Sequence, residues 1–210
     1  MKHLAATALI AVVTLFAASS PSGVPNSSAH VKLSPTGTWA FRGLSSAERA
    51  NVVADIAEAT SVARPVLDLV DGNVAIDSYA NLCVVGDACS HPEHSAGRGW
   101  TIHLPHGTLA GTFPSQRFIV LHEIGHAVWS LVFRQVDRDA FQTAAQSAFP
   151  GGRCVATNGA ACAPLYEMFA DEFARWAGHF EACMDTYYTP ALLTGDAFGA
   201  IVDRALAGRA

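Results

Sequence analysis

Apolar residues in this chain fall into runs of three kinds. The first, LAATALIAVVTLFAA, is uncharged, follows the basic start MKH and is short for a bilayer span. The second kind is brief and alternating: TWAF (38–41), NVAIDSYA (73–80) and WTIHL (100–104) read as strands. The third keeps helical spacing. Ser45 or Ser46 caps a helix with Glu48 in its first turn. That helix runs through AERANVVADIAEATSVA on Val52, Ile56 and Val62, until Pro65 ends or kinks it. Further helices are expected over SQRFIVLHEIGHAVWSLVF, DAFQTAAQSAF, LYEMFADEFARWAGHF (165–180) and PALLTGDAFGAIVDRALAG. The stretches VVGDACSHPEHSAGRG (84–99) and GGRCVATNGAACAP (151–164) read as loops. Strands come early and helices late, which predicts an α+β fold in one domain.

Composition narrows the function classes. The chain has 210 residues, is 50% hydrophobic and carries a formal net charge of −5, with no strongly basic region. It suits a globular domain and argues against nucleic acid as a partner. The opening run reads as an export signal, with cleavage near Ala17–Ser20 or after Ala29. Left uncleaved, it would be an N-terminal anchor. Residues 1–29 are therefore expected to be signal peptide and linker, and 30–210 a single domain in a secreted or extracytoplasmic protein. No membrane role beyond the signal is expected, and the sequence does not specify an oligomeric state. In that compartment Cys83, Cys89, Cys154, Cys162 and Cys183 favour disulfides over a cysteine metal site. The local pairings are Cys83–Cys89 and Cys154–Cys162, although spacing alone does not fix connectivity.

The most apolar helical stretch raises a problem of chemistry. Between Arg117 and Arg134 its only ionisable groups are His122, Glu123 and His126. Buried ionisable groups are costly unless paired or bound to metal. The spacing is H-E-x-x-H, which puts the two histidines on one helix face with Glu123 beside them. That arrangement suits a Zn2+ ion held by His122 and His126, with Glu123 as general base toward a zinc-activated water. Gly125 costs roughly 1 kcal/mol against alanine in a helix, so a close neighbour is expected there. The competing reading is a buried polar cluster held by hydrogen bonds alone.

Two histidines leave a catalytic zinc site one protein ligand short. In YEMFADEFARW the aromatic stripe is Phe169, Phe173, Trp176 and Phe180. Glu167, Asp171 and Ala174 lie nearly opposite, while Glu172, Arg175 and His179 form a polar face between them. Glu167 is the candidate third ligand. Asp171, one turn on, can accept a hydrogen bond from the far nitrogen of a ligand histidine.

HEIGH followed by Glu-x-x-x-Asp resembles the gluzincin group of zinc metallopeptidases. EMFADEF is most similar to the anthrax-lethal-factor C-terminal domain and the Pro-Pro endopeptidases. The resemblance covers about residues 100–180 and implies a small zincin-like domain. Such a domain has a short, mostly antiparallel sheet packed on the active-site helix, and a helical C-terminal half. It implies peptide or protein substrates, metal ligands His122, His126 and Glu167, catalytic Glu123, and Asp171 behind a ligand. Those families mostly place a glutamate where Asp171 stands. They also carry a tyrosine several residues before the glutamate ligand, helping to stabilise the oxyanion, and this chain has none at that distance. Tyr166 abuts the ligand, and Tyr187, Tyr188, His179 and His103 remain alternatives, so the oxyanion stabiliser is left open. WTIHL falls where gluzincins place the edge strand that pairs with substrate.

The expected activity is therefore zinc-dependent endopeptidase hydrolysis. The rival is a catalytically inactive zinc-binding secreted protein on a peptidase-like fold. His91 and His94 in SHPEHS, with His103 and His106 near WTIHL, read as solvated loop histidines, a second metal site being the alternative.

Overall fold

The computed structural model describes residues 39–78, 88–92, 99–109, 114–148, 165–180 and 193–209. The chain divides into residues 1–30 and 31–210, and everything described falls in the second unit. The export-signal reading therefore lies outside the described residues, as do Tyr187, Tyr188, His94 and four of the five cysteines. Only Cys89 lies within them, so the expected pairings are not visible. No helix among the described residues is long and apolar enough to cross a membrane.

Four strands form one sheet: β1 (Ala40–Arg42), β2 (Val74–Asp77), β3 (Cys89–His91) and β4 (Trp100–His103), in the order β1-β2-β4-β3. The β1–β2 and β2–β4 pairings are parallel and only β3–β4 is antiparallel. The expectation of a mostly antiparallel sheet is corrected. The physical reason lies in the β1–β2 connection, which contains helices α1 (Ser46–Ala57) and α2 (Arg64–Asp71). A crossover of that length returns the chain in its original direction. Both inner strands are buried at every position, as strands between neighbours in a covered sheet should be. Their alternation does not mark an exposed face, because Asp77, Thr101 and His103 are buried too.

Two further expectations change. WTIHL is not an edge: β4 lies between β2 and β3. The edge beyond it is β3, inside a stretch read as loop. Its three residues, CSH, carry no apolar pattern, and pairing with β4 makes the strand.

The first helix is capped as expected. Ser45 accepts from Glu48 N–H and the Glu48 carboxylate reaches back to Ser45 N–H, forming a capping box. It ends at Ala57 instead of running on to Pro65. Thr60 caps a short 3-10 turn, and Pro65 sits in the first turn of α2. There proline loses no helical hydrogen bond, so it starts a helix and does not break one. Val52 and Ile56 are buried, but Val62 is 56% exposed.

A four-residue helix α3 (His106–Leu109) precedes the central helix α4 (Pro114–Leu131). Among the described residues the C-terminal half is helical, in α5 (Gln135–Ala148), α6 (Leu165–Gly178) and α7 (Gly195–Ala207). Their core is aromatic. Phe169 of α6 packs against Trp129, Phe133, Phe141 and Phe198 with centroids 4.6–5.3 Å apart, mostly edge-on or tilted. Such pairs contribute about 0.5–1.5 kcal/mol each beyond area burial. One face of α6 differs from expectation. Glu172, read as part of a polar face, is 1% exposed and paired at 2.6 Å with Arg175, which also donates to the Leu193 carbonyl.

Helices α4 and α6 form the tightest helix pair. A Cβ placed on Gly125 would lie 2.8 Å from Ala170 Cα and 3.2 Å from the Ala170 carbonyl oxygen. The close neighbour expected from the glycine is thus the α6 backbone, which brings Glu167 and Asp171 over the histidines of α4.

Candidate metal centre

Successive turns of α4 set His122 and His126 on one face. Their Nε2 atoms are 3.1 Å apart. Across the helix pair, Glu167 Oε2 lies 3.2 Å from His122 Nε2 and 3.4 Å from His126 Nε2. Asp171, 1% exposed, accepts from His122 Nδ1 at 2.7 Å. A carboxylate only accepts, so the Nδ1 proton of His122 is committed to Asp171 and a neutral ring turns its Nε2 lone pair toward Glu167. Lone pairs on two or three converging atoms repel unless a proton or a metal cation lies among them. His122, Glu123 and His126 also form a cluster whose ligand atoms lie within 4.8 Å of one another, able to hold a metal ion.

The electrostatics follow from this crowding. Burial pulls the His122 pKa down, but hydrogen bonds to Asp171 and Glu167 outweigh it and hold it up at about 10. Burial pushes Glu167 upward, and hydrogen bonds from both histidines overcome this, leaving its carboxyl well below the usual range. Glu123 is the exception. It is 5% exposed, and burial raises its pKa against the pull of the two histidines and Ser90. Its Oε2 is buried without a hydrogen-bond partner among the described residues. An orphaned buried acceptor is costly and calls for an explanation.

All five residues singled out from the sequence, His122, Glu123, His126, Glu167 and Asp171, meet at this one place. The alternatives for the oxyanion do not. His103 is engaged by Asp77 and His91, and His179 is exposed beyond the end of α6 at a left-handed φ of 55°. Tyr166 does approach: its ring lies 5.6 Å from that of His126, and burial and the Glu167 charge raise its pKa. Ser90 was missed because its strand was missed. Tyr166 was legible only as the neighbour of Glu167.

Comparison with family models, with curated proteins and with solved structures finds no match for this chain.

Proposed function

We propose that this chain is an exported zinc-dependent endopeptidase, with His122, His126 and Glu167 as metal ligands and Glu123 as general base. The observation that carries the reading is the convergence of three ligand atoms 3.1–3.4 Å apart beside the orphaned Glu123 Oε2. Three corners of a tetrahedron around an ion with bonds of 2.0–2.1 Å are about 3.3 Å apart, the geometry zinc adopts with nitrogen and oxygen ligands. One thiol-free face of two imidazoles and one carboxylate is also the ligand count of a catalytic zinc site, which keeps a position open.

When bound, zinc acidifies water and polarises a carbonyl. The protein's own residues do the rest. Asp171 holds His122 in the tautomer that presents Nε2. Glu123 accepts the proton of the attacking water through Oε2 and later delivers it to the leaving amine. Its raised pKa moves it toward the range where one carboxyl can both take and return a proton. The peptide itself runs along β3, the edge among the described strands and beside α4, by adding an extended chain to the sheet. The Tyr166 phenol is the candidate donor to the developing oxyanion.

The rival reading, zinc binding without turnover, has no use for a buried carboxylate oxygen, Glu123 Oε2, left without a partner next to the ligands. Hydrolysis of a peptide library separates the two. Glu123→Gln should keep the zinc that His126→Ala loses, while turnover falls about 10²–10⁴-fold. Full turnover by Glu123→Gln removes the general base. No cleavage by the zinc-loaded native protein leaves the non-catalytic reading in its place.

A further inference from the structure

A second histidine pair stands outside the centre on α4 and α6. Asp77 at the end of β2 and His103 at the end of β4 are direct partners across the parallel ladder. Asp77 Oδ1 and His103 Nδ1 are hydrogen-bonded, and both residues are 4% exposed. His103 Nε2 faces His91 Nε2 on β3 at 2.7 Å, with ring centroids 4.6 Å apart. His91 Nδ1 lies 3.2 Å from the Pro92 carbonyl oxygen, and its side chain is on the exposed edge.

The hydrogen bonds fix the tautomers. A carboxylate and a carbonyl can only accept, so each Nδ1 carries a proton and donates it. In rings that carry no second proton both Nε2 lone pairs are bare, and they point at each other across 2.7 Å. Such a contact is repulsive unless a proton or a metal ion joins it. We propose that His91 and His103 form a second metal site, for a transition-metal ion of the copper(II) class, with Asp77 orienting His103 from behind. Two ligands at adjacent corners of a square, with bonds of about 2.0 Å, are about 2.8 Å apart, close to the observed separation and shorter than a tetrahedral edge. Copper(II) takes such tetragonal nitrogen sites and binds imidazole most tightly among the divalent first-row ions. Exposed His91 gives the ion an entry from solvent. The histidines expected from the sequence to be solvated are therefore divided: His91 is exposed, but His103 is buried and oriented.

The site shares no ligand with the proposed catalytic centre, and the two are separable by their ligands. Cu2+ is titrated into the metal-stripped full chain, with binding followed by calorimetry and by electron paramagnetic resonance. Native protein, His126→Ala, His91→Ala and the double variant are compared. His91→Ala should remove one copper equivalent, in the native and the His126→Ala backgrounds alike. With it should go a tetragonal signal with nitrogen splitting from imidazole. His91 is exposed, so its loss leaves the fold intact, which circular dichroism checks. An unchanged copper count and spectrum in folded His91→Ala overturns the site, whatever His126→Ala does. A loss seen only with His126→Ala assigns the metal to the first centre and also overturns it. If the pair is bridged by a shared proton and takes no metal, no equivalent depends on His91.

Discussion

His122 is a residue whose role is set by what accepts from each of its nitrogens. Asp171 takes Nδ1 and Glu167 faces Nε2, and in the metal-free chain the pKa is held at about 10. The sign of the resulting pH dependence follows. A raised histidine pKa stabilises the metal-free fold fully below its ordinary value of 6.5, and that contribution fades as pH rises through about 10. Metal binding runs the other way, because the ligand must give up its proton. Near pH 7, zinc should therefore release about one proton from His122, and apparent affinity should rise about tenfold per pH unit until the release ends near pH 10. Calorimetry in buffers of different ionisation enthalpy measures this directly. Zinc uptake at pH 7 with no proton release would contradict the arrangement.

Helices α4 and α6 show how one missing side chain brings the proposed ligands together. Gly125 lacks the Cβ that would lie 2.8 Å from Ala170 Cα. An alanine there gains about 1 kcal/mol of helix propensity, yet it must push backbone from backbone. Overpacking of this kind costs about 1–3 kcal/mol. Gly125→Ala is thus expected to lower the unfolding free energy in denaturant and, by moving Glu167 away, to weaken zinc binding. A variant as stable as the native chain with undiminished zinc affinity would mean that the helices can separate freely at this point. Where an element has its own cap, as α1 has in Ser45 and Glu48, its start was legible in the sequence; its end at Ala57, short of Pro65, was not. Elements made by pairing were not legible. β3 is three residues without an apolar pattern, and Pro65 looked like a stop because only the turn capped by Thr60 makes it a start.

In the whole molecule, the centre joins parts that are far apart in the chain. The proposed ligands on α4 and α6, the neighbouring Ser90 of β3 and the aromatic residues around Phe169 sit on or against one hydrophobic core. A ligand that binds only the folded state stabilises all of it. At 100 times its dissociation constant, zinc adds about 2.7 kcal/mol. For a unit of this size that corresponds to a melting temperature roughly 5–10 °C higher. Thermal unfolding with zinc and with a chelator should show that difference in the native chain and little of it in His126→Ala. Equal melting temperatures with and without zinc would remove the metal from the fold's stability.

HEIGH and the Glu167–Asp171 spacing were readable because a helix converts spacing of four residues into one face, a purely local rule. The helical second half was readable for the same reason. Strand direction, the identity of the edge strand and the burial of Glu172 and His103 depend on which segments meet after the chain has crossed over itself. No local periodicity carries that information. The meeting of Glu167 with His122 and His126 belongs to both. Its residue types were visible in the sequence, but their approach rests on a helix packed against Gly125 closely enough for three lone pairs to share one point.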